Sequence, residues 1–109
     1  MYKHVPKRLF SRNVVIVSAS RTPIGAFMGQ FANVSATQLG AAATRAAVNE
    51  ANIDPKDVEE VYLGMVLQHG AGQAPTSQVA NSVGMREDIP CTTINKVCAS
   101  GMKSVMMAA

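Results

Sequence analysis

Cys98 stands in the run Asn95-Lys96-Val97-Cys98-Ala99-Ser100-Gly101-Met102-Lys103, directly after the β-branched stretch Thr92-Thr93-Ile94. A strand-forming segment leads into a thiol, then into small residues, then into a helix-forming segment. The expectation is a helix that opens at Val97 or Cys98, with the thiol at its N-terminus. There, unpaired N–H groups and the helix dipole favour the thiolate. Thiolate is the nucleophilic form, so this layout suits covalent acyl transfer. Backbone N–H groups beside Cys98 would stabilise an acyl oxygen as it becomes negative. Ala99, Ser100 and Gly101 are small enough for a substrate or a second subunit to approach the backbone. The competing reading is a buried packing cysteine, the commonest fate of a free thiol.

The other reactive side chains carry less. Cys91 begins the same predicted strand and reads as a small packing residue. Lys96 and Lys103 flank Cys98 and have two readings, as cations that lower its pKa or meet phosphate, or as solvated surface residues. His4 lies in the basic N-terminal stretch, and His69 reads as a loop residue beside Gly70. His69, Cys91 and Cys98 lack any familiar zinc-ligand spacing, so no metal is expected. Gly70-Ala71-Gly72 lacks the spacing of a nucleotide fingerprint and reads as a tight strand-to-helix turn. The methionines Met65, Met85, Met102, Met106 and Met107 read as core and interface filler.

The elements that must position Cys98 follow from hydrophobic period and punctuation. Val14-Val15-Ile16-Val17 is continuous and β-branched, which predicts a buried parallel strand over 13–19. Arg21-Thr22-Pro23-Ile24-Gly25 ends it with a turn. Ser35 or Thr37 caps a helix that runs to about Asn52, with Leu39, Ala42, Ala43, Ala46, Ala47 and Ala51 as its small-residue face. A second strand is expected over 58–67, with Val61, Leu63, Met65 and Leu67 on one face. A second helix is expected over 74–83, with Pro75 in its first turn and Gly84 as its stop. The third strand covers 91–96. The order β-α-β-α-β-α implies an α/β domain with a largely parallel sheet. Lys103 to Ala109 is still helix-like with no stop signal, so the sheet reads as incomplete in this chain.

Composition excludes several classes. With 48% hydrophobic and 16% charged residues in 109, the chain is globular and amounts to one domain at most. Aromatic residues make up 5% and Trp is absent, which argues against stacking platforms for single-stranded nucleic acid. Of the net charge of +3, Lys3, Lys7, Arg8 and Arg12 contribute +4 within 1–12, with no acid among them, and the rest of the chain is nearly neutral. That basic leader fits the start of a mitochondrial transit segment, with a cytoplasmic location as the alternative, and gives no nucleic-acid surface. No apolar run has the length of a membrane span. Two cysteines without a secretory signal point to a reducing compartment and free thiols.

The segment from Asn95 to Lys103 resembles the nucleophile segment of thiolases, nearest their acetyl-CoA acetyltransferase branch. Val14 to Gly25 resembles that family's opening strand and turn, and Gly70-Ala71-Gly72-Gln73-Ala74-Pro75 its glycine-rich loop. The resemblance covers 13–109 and implies the early part of the first half of a layered αβαβα fold. It implies that Cys98 is the nucleophile that takes the acyl group as a thioester, interconverting two acetyl-CoA with acetoacetyl-CoA and coenzyme A. It also implies that the catalytic histidine, the second cysteine and the loop domain that holds coenzyme A lie beyond Ala109. The chain alone is then expected to be inactive. Coenzyme A thioesters are implied as substrates, with no resident cofactor, any monovalent-ion site lying outside this chain, and a homodimer or homotetramer as the assembly. Two positions depart from the branch: Met65, where Asn is expected, and Ser77, where Arg is expected. The alternatives are a catalytically dead fragment that acts as a subunit-interaction module, and a ketoacyl-synthase-type condensing enzyme.

Overall fold

The computed structural model describes residues 13–109. The elements are α1 (Ala36–Ala51), a 3-10 turn (Pro55–Asp57), β1 (Val61–Gly64), α2 (Pro75–Val83), β2 (Cys91–Ile94) and α3 (Ser100–Ala108). The predicted basic leader at 1–12 lies outside the described residues.

Local signals place the helices. Ser35 closes a capping box on α1: its Oγ accepts from the Gln38 N–H, and the Gln38 side chain accepts from the Ser35 N–H. Asn52, in the left-handed region at φ 55, ends the helix. Pro75 starts α2, and Gly84 at φ 93 ends it with a conformation that costs glycine little.

β1 and β2 pair in parallel, with Val61 opposite Cys91 and Gly64 opposite Ile94. Side chains alternate across a sheet, so Val61 and Leu63 share a face with Cys91 and Thr93. On that face Val61 and Cys91 pack against the buried cluster of Val48, Ala80, Met85 and Ile89, supplied by α1, α2 and the loop before β2. The Thr93 Oγ1 lies 2.7 Å from the Oγ1 of Thr76, which is 1% exposed at the start of α2. The opposite face, with Tyr62 and Gly64, carries α3. The result is a helix layer, a small parallel sheet and a second helix layer, as expected for an α/β domain.

Three expectations need correction. The run Val14 to Val17 forms no strand, and its four side chains are 57 to 79% exposed. It lies along α1, where the Ser18 Oγ donates to the Ala47 carbonyl at 2.8 Å and the Ser20 Oγ to Glu50 at 3.2 Å. A ladder needs a neighbouring strand as well as β-branched side chains, and among the described residues none adjoins this run. Both remaining strands are shorter than expected, at 61–64 and 91–94. The face of α1 is also rotated from the expected one: Ala41 and Val48 are buried while Ala42 and Ala46 are exposed. The cause is contact with α2, since Gly40 meets Val79 so closely that an added Cβ would lie 3.1 Å from it.

Candidate active site

β2 carries the chain to the turn that holds Cys98. Its ladder continues one step past Gly64, with the Met65 N–H donating to the Ile94 carbonyl at 2.9 Å. Asn95 then turns the chain. Its Oδ1 accepts from the Val97 N–H at 3.0 Å, and its Nδ2 donates to the Val66 carbonyl at 3.3 Å. Val97 follows at φ +49, in the left-handed region. A β-branched residue there is a genuine outlier and marks a strained backbone.

Cys98 follows the strained residue and is exposed, with a free thiol. It is not a buried packing residue. Cys91, by contrast, is half-buried against the core cluster, as its reading required. The helix opens later than expected, at Ser100, with Ala99 as an N-cap that makes no side-chain bond. Cys98 therefore sits on the turn ahead of the helix, not within its first turn. The cause is the pair of backbone bonds across the turn: Ala99 N–H to the Lys96 carbonyl at 3.0 Å, and Ser100 N–H to the Val97 carbonyl at 3.1 Å. Those two amides are occupied, so an acyl oxygen on Cys98 must find other donors.

Ser100 is 4% exposed. Its Oγ accepts from the Lys96 N–H at 2.9 Å and donates to the Val97 carbonyl at 2.6 Å. Below it, α3 meets β1 at Gly64. A Cβ built there would lie 2.7 Å from the Gly101 nitrogen and 2.7 Å from the Ser100 carbonyl carbon. Only a residue without a side chain lets the helix start so close to the strand. Beside the turn, Lys96, Ala99, Met102, Lys103 and Met106 line a groove of about 360 Å³. It combines two cations with apolar side chains, a setting that accepts an acyl chain or a phosphate-bearing ligand.

His69 is not brought to Cys98. It is exposed and lines a different cavity, with Ser35, Thr37, Met65 and Leu67 among its neighbours. Among the described residues no side chain hydrogen bonds the Cys98 sulfur, and no cluster of His, Cys, Asp or Glu has the grouping of a metal site. Met65 is half-buried on the His69 cavity, and Ser77 is half-buried in α2. Nothing in the structure explains why Ser77 replaces the expected Arg. Sequence reasoning missed Asn95 and Ser100 as parts of this site. The available signal was a small polar residue on each side of the thiol.

A profile described as the thiolase N-terminal domain matches residues 14–109. The chain belongs to the thiolase family. Mitochondrial acetyl-CoA acetyltransferase of Mus musculus is 57% identical over 95 residues, which are 87% of this chain and 22% of that protein. The Homo sapiens protein of the same name is 55% identical over 97 residues, 89% of this chain and 23% of its own. The Xenopus tropicalis protein is 54% identical over 106 residues, 97% of this chain. The chain thus spans about a quarter or less of the length of these relatives. Among solved structures, the Acat5 thiolase from Ascaris suum in complex with coenzyme A superposes with a TM-score of 0.85 at 37% identity, covering 86% of this chain and 25% of that one. Acetyl-CoA acetyltransferase from Syntrophomonas wolfei gives 0.81 at 34% identity, covering 86% and 24%. The fold expected from the sequence, an incomplete α/β thiolase fold, is therefore correct. In this thiolase chain no described helix is long and apolar enough to cross a membrane.

Proposed function

We propose that this chain is part of an acetyl-CoA acetyltransferase and supplies its acyl-accepting nucleophile, Cys98. The observation that carries the reading is the exposed Cys98 thiol on a strained strand-to-helix turn, in a chain of the thiolase family. The Cys98 thiolate attacks the carbonyl of an acetyl-CoA. The Sγ–C bond forms, the bond to the coenzyme A sulfur breaks, and coenzyme A leaves as a thiolate that takes up a proton. A second acetyl-CoA, deprotonated at its α-carbon, then attacks the enzyme thioester, releasing acetoacetyl-CoA and freeing Cys98. The first step needs a group that activates the Cys98 thiol, and the second needs a base at the α-carbon. Neither His4 nor His69 matches the family's histidine motif, so we assign the activating histidine, and the second cysteine that moves the α-carbon proton, to the remainder of the protein.

Coenzyme A thioesters are substrates in this reading, consistent with the coenzyme A complex of the Ascaris suum thiolase. No resident cofactor is proposed, and any monovalent-ion site falls outside 1–109. We read 13–109 as part of the N-terminal domain and 1–12 as a mitochondrial leader, supported by the names of the relatives. Assembly as a homodimer or homotetramer is supported by the exposed apolar side chains of α3, namely Met102, Val105 and Met106.

The test is incubation of the full-length protein that contains this chain with acetyl-CoA, followed by peptide mass spectrometry. One acetyl group on Cys98, with coenzyme A released, is the expected result. Absence of acetylation, or acetylation of Cys91 in its place, contradicts it.

A further inference from the structure

We infer that Ser100 and Asn95 are positioning residues for the Cys98 nucleophile, acting through the backbone of Val97. The inference rests on the assignment of Cys98 above. Val97 at φ +49 holds a conformation that its branched side chain disfavours. It persists only where its surroundings over-determine it. The polar groups around Val97 are held by two side chains. The Ser100 Oγ takes the Lys96 N–H and gives its own proton to the Val97 carbonyl, while the Asn95 Oδ1 takes the Val97 N–H. Ser100 is itself fixed, because it is buried, begins α3 and its carbonyl accepts from the Ser104 Oγ at 3.0 Å. Asn95 is anchored through its other end to the Val66 carbonyl. The clamp therefore ties the turn to α3 on one side and to the chain after β1 on the other.

Loss of either side chain leaves an N–H at the turn without its acceptor and removes one restraint on Val97. The residue then relaxes toward negative φ, and Cys98, next in the chain, swings with it. Nucleophilic attack depends on the approach of the thiolate to the thioester carbonyl, and misplacement on the ångström scale costs rate steeply.

The experiment uses the full-length protein that contains this chain and four variants: Ser100→Ala, Asn95→Ala, and each combined with Val97→Gly. Acetyl transfer from acetyl-CoA to Cys98 is timed by mass spectrometry, and each protein's urea midpoint is recorded. Ser100→Ala and Asn95→Ala are expected to slow acetylation on the order of tenfold to a hundredfold. Adding Val97→Gly is expected to restore most of that rate, because glycine adopts positive φ without the clamp. A merely structural role predicts acetylation losses that follow the urea midpoints, whereas positioning predicts losses in variants that stay folded under assay conditions and that Val97→Gly reverses. Asn95 is exposed, so its variant keeps the test open where the buried Ser100 variant fails to fold. Unchanged acetylation in both single variants, or a loss that Val97→Gly leaves in place, overturns the inference while the nucleophile stands. Absence of acetylation in the unaltered chain overturns the nucleophile, and this inference with it.

Discussion

Cys91 and Cys98 share one strand-and-turn segment yet meet different surroundings. Cys91 packs on the core cluster, and Cys98 faces solvent. Brief treatment of the native chain with iodoacetamide should label Cys98 first and Cys91 only on unfolding, as peptide mass spectrometry will read. Equal labelling would mean that β2 opens freely. The exposure of the Cys98 thiol was legible in the sequence because its small neighbours leave it uncovered. Asn95 and Ser100 were not legible. They work on the backbone of a neighbour, through a positive φ at Val97 that no propensity of valine announces.

The elements show where local signals suffice. α1 and α2 follow their caps and stops, Ser35, Pro75 and Gly84, almost to the residue. Strand lengths were less legible, since a ladder depends on a partner that the run itself does not encode. The contact of α3 with β1 yields a paired prediction. Gly64→Ala places a Cβ against the backbone of Ser100 and Gly101, and should destabilise by about 1–3 kcal/mol. Gly101→Ala meets open space within α3 and should stabilise by about 0.4–1 kcal/mol. Urea unfolding of both variants measures the difference, and similar midpoints would argue against the close approach of helix and strand. On β1, a hydrogen bond with Glu60, some desolvation and the Glu60 charge together raise the Tyr62 pKa above its ordinary value of 10.0. A raised pKa means that the folded state holds the phenol proton more tightly. The stabilisation is therefore full below pH 10 and is lost as pH rises through the folded-state value. Ultraviolet titration should place Tyr62 higher than free tyrosine, and Glu60→Gln should lower it. An unchanged titration in that variant would remove Glu60 as the cause.

At the scale of the whole molecule, this chain holds an exposed thiol on a strained turn and leaves much apolar surface uncovered. Val14 to Val17, Met102, Val105 and Met106 all stay exposed among the described residues. The chain also covers only 22 to 25% of its named relatives. Both facts agree with a piece of a larger layered fold. The layer order was legible from the β-α-β-α-β-α succession. What covers the first apolar run was not, because that information lies in residues that pack against it.

The most direct test grafts residues 13–109 of this chain onto the human mitochondrial acetyl-CoA acetyltransferase in place of its matching segment. Acetoacetyl-CoA thiolysis is then measured with and without Cys98→Ser. The account predicts a chimaera that turns over, and a loss on the order of 10⁴-fold or more in the variant, as for removal of a covalent nucleophile. A folded chimaera without activity, or an active one indifferent to Cys98→Ser, would contradict it.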